Sequence, residues 1–328
     1  MIHHRRNKPK KMMQAYLNFI SRIFQKSAIG MAMLGTSMQP TSAGDEPLVD
    51  CHVHVWQLSR PAGLSWLKKD DPILYKDFLP PAFEEIAKAN GVTGVVLVQA
   101  GQSLPDNQWN LDISKHNPSL FRGVVGNLSE VIGTDAFAPL FSDLCKDPRY
   151  LGYRLSGRYQ DGLSEALFRD LATTAKAGKA VDFLAGGYSL ADIRTIAQRL
   201  PQLRIMVNHM GNLRLDGKPL NEEWAKHFRE LAKQPNVVCK ISALYGRVEK
   251  QPAPKDLAFY RPILDLCFAC YGEDRLIYGS DWPVAASTGD YASLLALTRS
   301  YFADKGAEVN AKVFHRNAMK FYAIPTGK

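Results

Sequence analysis

The stretch Leu48-Val49-Asp50-Cys51-His52-Val53-His54-Val55-Trp56 decides the fold. Its apolar, β-branched residues read as a buried strand. It ends in two histidines rather than in the glycine-rich turn that an open nucleotide-binding sheet places after its first strand. Side chains alternate along a strand, so Asp50, His52 and His54 are expected on one face, with Cys51, Val53 and Val55 on the other. A His-x-His pair is weak evidence alone. Its place at the end of an apolar strand gives it weight, because imidazoles are costly to bury where nothing uses them.

Seven further strand-like runs occur, at 94–99, 123–128, 151–155, 180–184, 204–208, 236–242 and 275–279. Between and after them, residues 81–90, 107–117, 134–146, 162–178, 189–200, 221–234, 255–272 and 290–304 place apolar side chains at helical spacing, and a last helix is expected over 307–321. Strands separated by helices pair in parallel through right-handed crossovers. Eight such repeats predict an α/β chain folded as a (β/α)8 TIM barrel. No linker or change of composition breaks the chain after residue 44, so one domain is expected over 44–328 behind a leader at 1–43.

The leader holds the charge. The chain carries 41 Lys and Arg against 32 Asp and Glu, but seven of the basic residues and none of the acidic ones lie in residues 1–43. The rest is nearly neutral, which excludes a nucleic-acid-binding domain. Arg5, Arg6, Lys8, Lys10, Lys11, Arg22 and Lys26 precede the apolar run Ala28 to Met38 and a small-residue stretch at Thr41-Ser42-Ala43. This reads as a signal peptide for export to the periplasm, with a basic tail on a cytoplasmic enzyme as the alternative. The apolar run is too short for a membrane span. Five cysteines, Cys51, Cys145, Cys239, Cys267 and Cys270, imply no disulfide framework, and Cys267 and Cys270 fall on a helical apolar pattern.

Two more strands end in reactive groups. Residues 204–208 run directly into His209, and 275–279 run through Ser280 into Asp281 and Trp282. The C-terminal rim of a barrel's strands is where its active site lies, so His52, His54, His209 and Asp281 are expected together. A carboxylate facing imidazoles, or a metal that they hold, stays ionised and can take a proton from water. Singly, His209 could cap a helix and Asp281 could be an N-cap. Arg154 and Lys240 sit in apolar strands and need an anion, either a substrate group or a buried partner such as Asp50 or Asp182. Gln99 and Ser242 are hydrogen-bonding candidates, and Trp56, Trp66, Tyr159, Tyr188, Tyr245 and Trp282 could wall the site.

In order and spacing, Val49 to Trp56, Val96 to Ala100, Gly152 to Arg154, Asn208 to Gly211, Val238 to Ser242 and Tyr278 to Pro283 resemble the amidohydrolase-2 branch of the amidohydrolase superfamily, especially its sugar and pyrone-dicarboxylate lactonases. The resemblance covers residues 47–323. It implies a hydrolase of small lactones or related carbonyl compounds, with Asp281 as general base and His209 beside it. His52, His54 and His209 would bind metal or polarise the scissile carbonyl, one ion being held by His52, His54 and Asp281 with His209 as a further ligand, and Arg154 and Lys240 would hold groups of a carboxylated or polyhydroxylated substrate, with Gln99, Ser242, Trp56 and Trp282 beside them as the candidates read from the residues. The fifth strand lacks a histidine and the fourth offers Arg154, which argues against two metals. One divalent ion, Zn2+, or none is expected. Asn208 stands where the family commonly has Asp before the sixth-strand histidine. A metal-dependent decarboxylase or hydratase on the same fold, or a non-catalytic envelope binding protein, are the competing readings.

Overall fold

The computed structural model describes residues 47–61, 63–156 and 162–325. The leader expected over 1–43, and Tyr159, lie outside them. Eight parallel strands pair in chain order: β1 (Leu48–Val53), β2 (Val92–Val98), β3 (Phe121–Asn127), β4 (Tyr150–Leu155), β5 (Ala180–Phe183), β6 (Arg204–Val207), β7 (Val237–Ile241) and β8 (Leu276–Tyr278). β8 meets β1 just past its end. Asp281 N donates to the His52 carbonyl at 2.8 Å and His54 N to the Trp282 carbonyl at 2.7 Å, which completes the (β/α)8 barrel.

The outer ring is α1 (Pro80–Asn90), α2 (Pro105–Ile113), α3 (Phe137–Leu144), α4 (Glu165–Lys176), α5 (Leu190–Arg199), α6 (Glu222–Ala232), α7 (Leu257–Tyr271) and α8 (Tyr291–Ala303). Local chemistry sets these starts. At α5, Ser189 Oγ accepts from Asp192 N while Asp192 Oδ2 accepts from Ser189 N, both at 3.0 Å, satisfying two donors that a helix end leaves open. Among the described residues no helix is long and apolar enough to cross a membrane.

Two apolar layers hold the fold. Buried side chains such as Phe83, Tyr153, Ile205 and Leu276 fill the space between strands and helices, while Val49, Cys51, Val96, Val125, Leu151 and Met206 fill the barrel interior. The helix expected over 307–321 is α9 (Ala307–Ala311), a π-helical turn at Lys312–Arg316, and α10 (Asn317–Tyr322). Phe321 and Tyr322 of α10 pack onto the interior layer, so the C-terminal segment plugs the barrel.

The expectation for β1 is corrected. Asp50 pairs with Val95 of β2 and Val53 with Leu97, three residues against two, so β1 bulges at Cys51 and His52. Asp50 therefore faces the helices, where its Oδ2 accepts from Tyr291 Oη of α8 at 3.0 Å. Cys51 joins the interior layer, and His52 enters the active-site mouth.

Candidate active site

Strand ends bring the expected cluster together. Asp281 Oδ1 lies 3.5 Å from His52 Nε2, 3.3 Å from His54 Nε2 and 3.9 Å from His209 Nε2. The His52 ring centroid is 4.9 Å from that of His54 and 4.5 Å from that of His209. Backbone constraint accompanies this convergence. His209 and Asp281 both adopt left-handed conformations, at φ 51° and 68°, a strain that non-glycine residues hold where the surroundings enforce it. Gly279 must be glycine for a different reason: a Cβ there would lie 2.7 Å from His52 Cβ.

Each imidazole is oriented through its other nitrogen. His54 Nδ1 donates to the Val98 carbonyl at 2.7 Å, which leaves the Nε2 lone pair facing the Asp281 carboxylate. Two acceptors at 3.3 Å repel unless a proton or a cation lies between them. His209 Nδ1 pairs with Ser242 Oγ at 2.8 Å. His52 Nδ1 lies 3.4 Å from Lys240 Nζ. The donor set fits one divalent ion: His52, His209 and Asp281 offer ligand atoms within 4.8 Å of one another, and His54 aims a lone pair at the same carboxylate oxygen.

Burial sets the charges. It lowers the His209 pKa to about 3, with Arg247, Arg154 and Lys240 pushing the same way and Asp281 opposing. Burial and then Lys240 hold His52 well below its ordinary range, so both rings are neutral. For Asp281 burial works upward, but His209, His54 and Arg247 outweigh it and the carboxyl is held below its ordinary value. Since His209 is itself neutral at neutral pH and His54 turns a lone pair to the carboxylate, Arg247 is the persistent cause of the lowering.

The substrate-binding expectations divide. Arg154, near the end of β4, donates through Nη2 to the Gln99 carbonyl at 2.8 Å, and its buried Nε meets no partner among the described residues. Gln99 and Asn208 are fully buried with both side-chain amide atoms unpartnered among those residues. Buried polar groups without partners are costly to the fold. Lys240 is different. It is 0 % exposed and paired with Asp182 at 2.8 Å, so it presents nothing to a substrate. Ser242 is committed to His209. Trp282 turns away and packs edge-on to Phe78 and Phe83, Trp56 packs on Phe78, and Tyr188 and Tyr245 are buried; Trp66 keeps 42 % of its surface exposed. Trp56, Trp66 and Trp282 thus pack with Phe78 and Phe83 in one aromatic cluster, while Tyr188 packs on Phe183 and Tyr245 on Tyr260. Arg247 escapes sequence reading. It comes from the irregular segment after β7, where no periodicity marks it, and its charge acts on both Asp281 and His209.

A barrel that gathers histidines and a strained aspartate at its strand ends has the architecture of an amidohydrolase-type hydrolase. The chain belongs to the amidohydrolase family, whose model matches residues 49–324. It is 33% identical over 290 residues to an L-fucono-1,5-lactonase of Burkholderia ambifaria, covering 85% of this chain and 97% of that protein. An L-fucono-1,5-lactonase of Burkholderia multivorans is 25% identical over 295 residues, covering 84% and 96%. Among solved structures, an amidohydrolase from Burkholderia multivorans with bound zinc superposes with TM-score 0.73 at 23% identity, covering 85% of this chain and all of that one.

Proposed function

We propose that the protein hydrolyses a small lactone of the aldonolactone type, L-fucono-1,5-lactone being the first candidate, with Asp281 as general base. One observation carries the reading: a single carboxylate oxygen, Asp281 Oδ1, stands within 3.9 Å of three imidazole nitrogens on a carboxyl held ionised at neutral pH. The family membership and the lactonase relatives support it.

Asp281 takes a proton from water as the oxygen adds to the lactone carbonyl. The proton then passes to the ring oxygen as its bond to the acyl carbon breaks, giving the open hydroxy acid. Arg154, which keeps 9 % of its surface exposed and leaves Nε unpartnered among the described residues, would oppose the negative charge that builds on the carbonyl oxygen. His52, His209 and Asp281, with His54 beside the same carboxylate oxygen, would hold one divalent ion, for which zinc suits the nitrogen and oxygen donors. Such an ion polarises the carbonyl and makes water a stronger acid. The test is Asp281→Asn in the full chain, assayed against L-fucono-1,5-lactone and other aldonolactones. Turnover should fall about 10²- to 10⁴-fold with the melting temperature retained. Undiminished activity would remove Asp281 from the role.

A further inference from the structure

Three consecutive carbonyls where β2 ends each hold a different side chain of the rim. His54 Nδ1 donates to the Val98 carbonyl at 2.7 Å, Arg154 Nη2 to the Gln99 carbonyl at 2.8 Å, and Trp66 Nε1 to the Ala100 carbonyl at 2.9 Å. Gln99 N donates to the Val125 carbonyl of β3 at 2.9 Å, so Gln99 is turned to β3 and the carbonyls on either side of it to β1. Trp66 is thereby tethered two residues, roughly 6.6 Å of extended chain, beyond His54 on the same side of β2.

The tether decides what this tryptophan can offer. Trp66 keeps 42 % of its surface exposed, and its ring stands edge-on to Trp56 at 5.6 Å. Ile73 and Tyr75, on the same segment between β1 and α1, are exposed as well. An indole has one donor, and here the Ala100 carbonyl takes it, so the open part of the ring presents only carbon and hydrogen. A ring already held in place loses little freedom when a ligand covers it. On the neighbouring carbonyl sits the Arg154 guanidinium, so a cation and an apolar ring are fixed to adjacent peptide units at the rim. We infer that Trp66 is a specificity-determining residue: its exposed face receives the C–H side of the lactone and favours a methyl over a hydroxymethyl substituent. This rests on the lactonase reading and narrows it to 6-deoxyaldonolactones. In L-fucono-1,5-lactone the methyl carbon is three bonds from the acyl carbon, on the atom next to the ring oxygen. A hydroxymethyl group there would give up water against the indole without gaining a partner.

The experiment compares the full-length wild type, Trp66→Ala and Tyr75→Ala on L-fucono-1,5-lactone and L-galactono-1,5-lactone, which differ only in methyl against hydroxymethyl. The wild type should prefer the fucono compound. Trp66→Ala should lower kcat/KM for it about 10-fold, chiefly through KM, and leave the galactono value nearly unchanged, so that the preference collapses. Tyr75→Ala should behave as the wild type. An unchanged preference in Trp66→Ala, or an equal loss in Tyr75→Ala, overturns the inference. Calorimetric titration with the open acids L-fuconate and L-galactonate gives a second readout that needs no turnover: the wild type should bind L-fuconate more tightly, and Trp66→Ala should bind the two alike. If the wild type opens no lactone, the lactonase reading fails and the titration still decides this inference, which a wild type without preference between the acids overturns.

Discussion

Replacing Asp50 with asparagine should abolish a pH-dependent loss of stability that the wild-type fold carries at the β1–β8 seam. Asp50 is fully buried. Its Oδ1 accepts from His52 N at 3.0 Å and Ser280 N at 2.9 Å, and its Oδ2 from Tyr291 Oη at 3.0 Å. Burial outweighs these bonds and raises the pKa from 3.8 to about 6. A carboxyl with a folded pKa above its unfolded one contributes stability that is full below pH 3.8 and lost as pH rises through about 6. At about 1.36 kcal/mol per pH unit, the gap corresponds to ~3 kcal/mol. Asparagine keeps an oxygen for both backbone donors, and the Tyr291 hydroxyl can turn to accept from the amide. Urea unfolding of both proteins, followed by tryptophan fluorescence between about pH 4 and pH 7, gives the comparison. The variant should gain up to ~3 kcal/mol on the wild type across that range. Parallel stability curves would refute the reasoning, since the buried carboxyl would then not be titrating in the folded state.

The supports of the site can be probed one at a time. Ser242→Ala removes the Nδ1 partner of His209, and kcat/KM for the lactone should drop roughly 10- to 100-fold without a change in fold by circular dichroism; an unchanged rate would mean that another contact orients the ring. Gly279→Ala drives a methyl into His52, so it should cost about 1–3 kcal/mol in urea unfolding and depress activity together. A wild-type stability would show that β8 can shift away. Metal analysis after zinc loading and desalting should find a single ion on the wild type, lost in His52→Gln and Asp281→Asn. Full retention in His52→Gln would remove that ring from the ligands.

The barrel was legible because its signals are repeated and local. Each strand run falls within two residues of an observed strand, and the helical stretches coincide with α1 to α8, since an apolar face at a fixed period is how both elements meet the core. The convergence of His52, His54, His209 and Asp281 was legible for a topological reason: parallel strands in chain order put all their C-terminal ends on one rim. The orientation of Asp50 was not. Alternation assumes an unbroken pleat, and one added residue at Cys51–His52 reverses the facing of Asp50 relative to the strand beyond the bulge. The capped end was half visible, because the final helix shows in its spacing while the π turn that bends it depends on packing.

Arg154 and Lys240 looked equivalent in sequence, each a cation in an apolar strand, and the structure separates them by depth. Such a cation needs an anion in its own layer of the barrel, and the strand pattern does not say which residues share a layer. Lys240 finds Asp182 there, and with both charges sealed from water the pair is too costly to open for a substrate. Arg154 stands at the register position of Asp182 on the adjacent strand, yet its guanidinium turns to the Gln99 carbonyl and keeps 9 % of the residue exposed. Asp182 can neutralise one cation at hydrogen-bonding distance. Arg154 makes no ion pair at contact distance, Asp281 and Asp182 acting on it only from farther off, and on the proposed reading that leaves it as the strand-borne cation able to meet the charge that builds on a lactone carbonyl.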